Sequence, residues 1–280
     1  MSNLLYKILT KTVGLSLNLL AIFNPKKAAK IAYGLHSQPR IGQISENKIP
    51  QILKSSVQKI LAIDELKYQT YSWIGNHETI LLMHGWESNS ARWERLLPYL
   101  LETKKTVIAI DAPAHGLSSD RSFSVPKYAK LINEFSKTTK IDYIISHSIG
   151  GAAAVFYQFK YQNPDLKKMV ILGAPSDLQV LINNFTKLMG FSKQLKKHLE
   201  TEFSKNTNLP ISEFSTEKFG SKIKIPALIA HDQNDTVVAF SESQKTIKNW
   251  KNITFIETKN LGHSMHDDVL YQQIIGFLKL

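Results

Sequence analysis

Short apolar runs alternate with longer segments of helical spacing from residue 67 to the end of the chain. The runs are rich in β-branched residues and predict strands, at Thr79 to Met83, Val107 to Ile110, Ile141 to Ile145, Met169 to Leu172, from Ile223 onward and at Ile253 to Glu257. The longer segments predict helices, at Ser90 to Leu101, Pro126 to Lys137, Gly150 to Tyr161, Phe240 to Trp250 and His266 to Leu280. This alternation is typical of βαβ units. We therefore predict an α/β fold with a mostly parallel central sheet and helices on both faces, over residues 67–280.

One segment interrupts the alternation. Two helical patterns occupy residues 176–220, between the run that ends at Leu172 and the next predicted strand. Their apolar residues recur at helical spacing, at Leu178, Leu181, Ile182, Phe185, Leu188, Met189, Leu195, Leu199 and Phe203. We predict a small helical insertion whose apolar stripe either packs on the body of the domain or lines a pocket.

The amino-terminal quarter of the chain differs in charge. Residues 1–67 hold ten Lys and Arg against three Asp and Glu, so they carry +7 of the formal net charge of +12. The apolar run from Val13 to Phe23 is shorter than the roughly 20 residues that a membrane-spanning helix needs. We predict that residues 1–66 form a basic helical extension. It either packs against the rest of the chain or docks on an anionic membrane surface.

The residues with the clearest chemical meaning lie between a predicted strand and a predicted helix, in Ser146-His147-Ser148-Ile149-Gly150-Gly151. A serine on a sharp strand-to-helix turn exposes its hydroxyl, and the backbone N–H groups that follow point at whatever the hydroxyl attacks. The pattern predicts Ser148 as a nucleophile. It departs from the usual GxSxG form because Ser146 stands where that form has its first glycine.

A serine nucleophile needs a base to take its proton and a third group to orient that base. His263 lies in a predicted loop after the strand that ends at Glu257, where it can serve as the base. Asp235 lies in the predicted turn after the preceding strand, where it can serve as the acid. We predict a triad of these two residues and Ser148.

The order Ser148, Asp235, His263 resembles that of the α/β-hydrolase fold family. Two further segments that follow predicted strands support the resemblance. His84-Gly85-Trp86 is similar to the loop that supplies half of the family's oxyanion hole, and the segment from Asp111 to Ser118 is similar to its DxPxHGxS loop.

The resemblance implies a serine hydrolase that cleaves a carboxylic ester or a related acyl substrate through an acyl-enzyme. The backbone N–H groups of Trp86 and Ile149 would form the oxyanion hole, and Gly85 and His147 would contact the small-molecule acyl substrate. The insertion at 176–220 would form a cap over the nucleophile. Asp177 occupies the other position at which this fold can place its acid. Alternative activities are an acyltransferase or a thioesterase with the same triad, or a non-catalytic binding protein on the same scaffold.

Composition and spacing exclude other classes of function. With 280 residues, 43% of them hydrophobic, the chain is long enough for one large α/β domain with a small insertion. The absence of cysteine excludes thiol catalysis, and the spacing of His263 and His266 does not match the HExxH pattern of metalloenzymes, so we expect neither a metal nor another cofactor. The lysines follow no nucleic-acid-binding pattern. Because no clear export cleavage site follows Phe23, we expect a cytoplasmic protein, with or without peripheral membrane contact.

Overall fold

The computed structural model describes residues 3–279, and within that range the chain forms one eight-stranded sheet. Its strands are β1 (Val57–Ile63), β2 (Leu66–Trp73), β3 (Thr79–Met83), β4 (Thr106–Ile110), β5 (Tyr143–His147), β6 (Lys168–Leu172), β7 (Ala227–Asp232) and β8 (Ile253–Thr258). The order across the sheet is β1-β2-β4-β3-β5-β6-β7-β8. The β1/β2 and β2/β4 pairs are antiparallel and all other pairs are parallel. The predicted mostly parallel α/β fold is therefore confirmed.

Eleven helices accompany the sheet within the described range. They are α1 (Asn3–Phe23), α2 (Pro25–Ser37), α3 (Gln51–Lys54), α4 (Leu97–Glu102), α5 (Val125–Ser136), α6 (Ile149–Tyr161), α7 (Leu178–Met189), α8 (Lys193–Thr207), α9 (Thr216–Gly220), α10 (Ser241–Ile247) and α11 (Asp268–Lys279). The helix predicted over residues 90–101 is divided into a 3-10 turn at Ser90–Arg95 and α4. Pro98 explains the division, because proline has no N–H to donate inside a helix and is accepted in a first turn.

A large hydrophobic cluster forms where one face of the sheet meets α4 and α11. All five residues of β3 are buried, as expected for a central strand covered on both faces. Ile80 and Leu82 of β3 belong to a cluster with Leu100 of α4 and with Ile274 and Leu278 of α11. This packing fixes the strands whose carboxyl ends carry the residues described below.

The chain divides into two compact units. The larger consists of residues 39–176 and 216–280 and contains the whole sheet, including β1, which lies in the region predicted to be a helical extension. The smaller consists of residues 1–38 and 177–215. Within it the rings of Tyr33 and Phe203 meet edge to face with centroids 5.0 Å apart, and His36 meets Phe185 at the same distance. The predicted extension and the predicted insertion thus contribute helices to one unit.

The first helix is longer than the sequence pattern indicated. The apolar run predicted from Val13 is the second half of α1, which begins at Asn3. Residues 5–23 are long and apolar enough, by length and composition alone, to cross a membrane. The run from Val13 is by itself shorter than a spanning helix needs, but Leu5, Ile8 and Leu9 extend the apolar stretch past Lys7 and Lys11, which interrupt the hydropathy pattern.

Candidate active site

Ser148 lies on a strained turn between β5 and α6. Its backbone has φ 53° and ψ −129°, a conformation that a residue other than glycine rarely adopts. The turn is tight: a Cβ built on Gly150 would lie 2.4 Å from the carbonyl oxygen of His84, so only glycine fits there. Ser146 is fully buried, and its hydroxyl donates to the carbonyl oxygen of Val170 at 2.9 Å. A small side chain with a satisfied hydroxyl thus replaces the usual first glycine.

The structure brings Ser148, His263 and Asp235 into one hydrogen-bonded chain. The Nε2 atom of His263 lies 3.0 Å from Oγ of Ser148, and its Nδ1 atom lies 2.7 Å from Oδ2 of Asp235. The other carboxylate oxygen of Asp235 accepts the N–H groups of Val237 and Val238 at 2.8 and 2.9 Å. Two backbone donors therefore hold the plane of the carboxylate while its second oxygen faces the imidazole.

The sheet explains this arrangement. Ser148 follows β5, Asp235 follows β7 and His263 follows β8, and these three strands are parallel. The carboxyl ends of parallel strands meet at one edge, where α/β proteins place their functional residues. Asp177, the alternative acid, directly precedes α7 and forms an isolated bridge with Ser215. The partner of His263 Nδ1 is Asp235.

The loop after β3 passes directly beside the nucleophile. A Cβ built on Gly85 would lie 2.9 Å from Cβ of Ser148 and 3.2 Å from the carbonyl oxygen of His147. Trp86 follows, and its indole meets the rings of His115 and Phe123 edge to face at 5.2 and 5.6 Å. On the other side of Ser148, the first residue of α6 is Ile149, and the first N–H groups of a helix have no intrahelical partner. Both predicted oxyanion donors thus belong to segments adjacent to the nucleophile.

A buried carboxylate supports these loops. Asp111 accepts hydrogen bonds from the N–H and hydroxyl of Ser90, the N–H of Leu117 and the hydroxyl of Tyr71, at 2.7 to 3.1 Å. Burial raises the pKa of Asp111, and the donors around it act in the opposite direction. Because Ser90 begins the 3-10 turn after Trp86, this carboxylate ties the loop after β4 to the loop after β3.

Two buried histidines fix the same loops in neutral form. Nδ1 of His84 donates to the carbonyl oxygen of Gly85 at 2.8 Å, and its Nε2 accepts the N–H of Ala112 at 2.9 Å. His115 accepts the N–H of Glu87 at 3.2 Å. Burial lowers the pKa of each of these histidines to about 4. Both rings are therefore neutral near pH 7, as acceptors of backbone N–H groups must be.

Two further side chains hold the loop that carries His263. The Nε2 atom of His147 donates to the carbonyl oxygen of His263 at 2.7 Å, and Nη2 of Arg92 donates to the carbonyl oxygen of Ser264 at 2.9 Å. Burial holds the pKa of His147 well below its ordinary value. No sequence pattern predicts this role for Arg92, because the residue lies 172 positions before Ser264 in the chain and belongs to no motif.

The acidic and histidine side chains near the end of the chain serve other contacts. Within residues 3–279, no group of three His, Cys, Asp or Glu side chains is arranged to hold a metal ion. Nδ1 of His266 hydrogen-bonds the hydroxyl of Tyr271, and Oδ1 of Asp267 accepts the N–H of Leu270. These contacts stabilise the start of α11.

Comparison with known proteins adds to the geometry. The sequence profile of the family described as "alpha/beta hydrolase fold" matches residues 78–208. A serine hydrolase-like protein of Danio rerio is 34% identical over 107 residues, which are 36% of this chain and 32% of that protein. The AB hydrolase superfamily protein YisY of Bacillus subtilis is 23% identical over 233 residues, 68% of this chain and 86% of that protein.

Solved structures show the same fold. Est1E of Butyrivibrio proteoclasticus, determined with ferulic acid bound, matches with a TM-score of 0.63 at 17% identity. The match covers 79% of this chain and 98% of Est1E. The sheet order, the strained serine turn after β5 and these similarities agree, and the chain has the α/β-hydrolase fold.

Proposed function

We propose that this protein is a serine hydrolase that cleaves a carboxylic ester or a related acyl substrate through a Ser148-His263-Asp235 triad and an acyl-enzyme. The fold and the relatives named serine hydrolase support a function of the serine-hydrolase type. One observation carries the finer proposal: an unbroken hydrogen-bonded chain from Asp235 through His263 to Ser148, with heavy-atom distances of 2.7 and 3.0 Å. Hydrogen bonds in this range are short enough for proton transfer.

The proposed reaction has two halves. Oγ of Ser148 attacks the carbonyl carbon while His263 Nε2 takes the hydroxyl proton, and Asp235 stabilises the imidazolium. The N–H groups of Ile149 and Trp86 hold the negative oxygen of the tetrahedral intermediate. The imidazolium then protonates the departing alcohol, which leaves Ser148 acylated.

Deacylation reverses these roles. Water attacks the acyl carbon and gives its proton to His263, and collapse of the second intermediate releases the carboxylic acid as Ser148 regains a proton. An acyltransferase or a thioesterase would use the same steps with another acceptor or another leaving group. The similar structure Est1E binds ferulic acid, a carboxylic acid, which is the class of product that ester cleavage releases.

His147 and Gly85 are the proposed substrate contacts. Because Nε2 of His147 donates to the carbonyl oxygen of His263, Nδ1 of the neutral ring is an acceptor. It is buried and has no hydrogen-bond partner among the described residues, and it would lie 3.2 Å from a Cβ built on Gly85. A hydroxyl or amide of the substrate can donate to it. Replacement of His147 by Leu should remove a preference for esters that carry such a donor, and an unchanged ester preference contradicts this role.

Labelling with a fluorophosphonate tests the proposal. Only a serine activated by a base should react, so we expect one label per chain, mapped by peptide mass to Ser148 and absent in Ser148→Ala. Ser221→Ala is the matched control, since that serine is exposed and donates to the carbonyl oxygen of Lys218. Unlabelled protein should hydrolyse p-nitrophenyl esters, with Ser148→Ala slower by several orders of magnitude, and labelling should abolish this activity. Absence of labelling in folded protein excludes the proposal and favours a binding role.

A further inference from the structure

The first helix presents a continuous apolar face to solvent. Ile8, Leu15, Leu19 and Ile22 are 54%, 61%, 54% and 64% exposed. Their spacing places them on one side of α1, in a row interrupted by Thr12 alone, and Phe23 ends the helix with 86% exposure. We call these five apolar residues the exposed row. Single exposed apolar side chains are ordinary, whereas a contiguous row marks a surface that binds something.

The opposite face of α1 is already occupied within the smaller unit. Leu17 and Ala21 are buried, and a Cβ built on Gly14 would lie 1.8 Å from the carbonyl oxygen of Met189, so the helix backbone lies directly against the end of α7. The side chain of Asn18 donates to the carbonyl oxygen of Gly190 at 2.8 Å. The helix is therefore held from the side, near the middle of its length.

These lateral contacts bear on how α1 meets a membrane. Lys11 makes a second lateral contact, since its Nζ donates to the carbonyl oxygen of Lys187. A helix that crosses a bilayer must leave water along its whole length, so the polar contacts of Lys11 and Asn18 would have to break. A helix that lies in the plane of the interface keeps both contacts and immerses only the exposed row. The geometry favours the second arrangement.

The charge around the exposed row indicates the partner. Residues 1–38 contain five lysines and no acidic residue, with Lys7 and Lys11 on α1 and Lys26, Lys27 and Lys30 on α2. All five are exposed. Each lysine near an anionic lipid surface strengthens binding on the order of fivefold. If two copies of this chain packed their exposed rows against each other, ten lysines would come close together. This repulsion disfavours a second copy as the partner that covers the row.

We propose that α1 docks in the plane of an anionic phospholipid bilayer, with the exposed row in the boundary between headgroups and acyl chains. The proposal does not depend on the triad, because every residue that carries it lies in the smaller unit. Binding can therefore fail while fluorophosphonate labelling succeeds, and the reverse is equally possible.

Vesicle flotation of the full-length chain tests whether an anionic bilayer binds the exposed row. We expect binding to vesicles of phosphatidylcholine with phosphatidylglycerol, weak binding to phosphatidylcholine alone, and loss of binding as salt is raised. Leu19→Gln should weaken partitioning about tenfold. Val269→Gln, at a residue 68% exposed on α11, is the matched control and should change it less than twofold. Equal losses of vesicle binding in both variants would overturn the proposal, and so would equal binding to anionic and neutral vesicles. A dimer in analytical ultracentrifugation that Leu19→Gln dissociates would also overturn it, because a second copy would then cover the exposed row.

Depth measurement tests the orientation. The chain has no cysteine, so single cysteines at positions 8, 15 and 22 can each be labelled with an environment-sensitive fluorophore. An in-plane helix puts all three labels at one shallow depth, roughly 5–10 Å into the interface, by quenching with brominated lipids. A spanning helix separates the outer two by about 21 Å in depth, and that result refutes in-plane docking. Far-UV circular dichroism and urea unfolding of each variant verify that the chain is folded, whether or not Ser148 reacts with a fluorophosphonate.

Discussion

Replacement of Asp235 by Asn should reverse one hydrogen bond of the triad at nearly constant volume. Oδ1 of Asp235 accepts two backbone N–H groups, from Val237 and Val238, so the amide oxygen of Asn must take that position. Its NH2 group then faces Nδ1 of His263, which can no longer donate and must accept. The imidazole proton moves to Nε2, and the atom that should receive the Ser148 proton already carries one.

The size of the effect follows from this tautomer change. A base in the wrong tautomer lowers kcat by about 10⁴, which corresponds to about 5 kcal/mol of transition-state stabilisation. The free energy of unfolding should change by only about 1 kcal/mol, because the bonds to Val237 and Val238 survive. Activity and stability should therefore separate in this variant.

Steady-state hydrolysis of p-nitrophenyl acetate and the rate of fluorophosphonate labelling measure the loss, and urea unfolding measures stability. Asp177→Asn is the matched control: Asp177 directly precedes α7, where Asn and Asp are equally favoured as capping residues. We expect that control to stay within twofold of the unaltered protein. If Asp235→Asn retains more than a tenth of the activity, or if Asp177→Asn loses more, the assignment of the acid is wrong.

Three further predictions concern the surroundings of the triad. Gly85→Ala places a methyl group 2.9 Å from Cβ of Ser148 and displaces the loop after β3, which carries the proposed oxyanion donor Trp86. It should lower kcat by about 10² to 10³, and activity within threefold of the unaltered protein would contradict this role of the loop. Arg92→Met removes the donor to the carbonyl oxygen of Ser264 and should lower kcat about tenfold while KM stays unchanged. Arg92→Lys should recover part of the lost kcat. A change confined to KM would argue against a positioning role for Arg92. Because burial lowers the pKa of His84 from 6.5 to about 4, the unfolded chain takes up that proton first as pH falls. The contribution of His84 to the free energy of unfolding should then decrease by about 3 kcal/mol between pH 6.5 and pH 4, and burial of His115 acts in the same direction; equal urea midpoints at pH 7 and pH 4.5 would contradict this sign.

Residues next to strand ends were predictable because local patterns mark them. Ser148, Asp235 and His263 each follow an apolar run, and parallel strands bring their carboxyl ends together whatever the distance along the chain. Ser146 looked like a defect in its motif, and the bond from its hydroxyl to the carbonyl oxygen of Val170 explains why serine is accepted there. That bond joins neighbouring strands, and no local pattern reports it.

Features that depend on tertiary packing were not predictable from the sequence. Arg92 supports the loop of His263 through a single hydrogen bond to a backbone oxygen. Since every residue has a backbone oxygen, this bond leaves no pattern in the sequence near His263. Lysines at positions 7 and 11 hid the true start of the apolar helix, because a hydropathy pattern averages over faces that the fold separates. The grouping of residues 1–38 with 177–215 has no sequence signal, since each half alone reads as an ordinary pair of helices.

The discontinuity of the smaller unit has a consequence during synthesis. Helices α1 and α2 leave the ribosome before α7 and α8, against which they pack and which follow roughly 150 residues later. At typical elongation rates of about 5–20 residues per second, the faces of Leu17 and Ala21 stay uncovered for on the order of ten to thirty seconds. The nascent chain therefore carries an unsatisfied apolar helix while the whole sheet up to β6 is being made. A chaperone or a nearby bilayer has that interval in which to bind it.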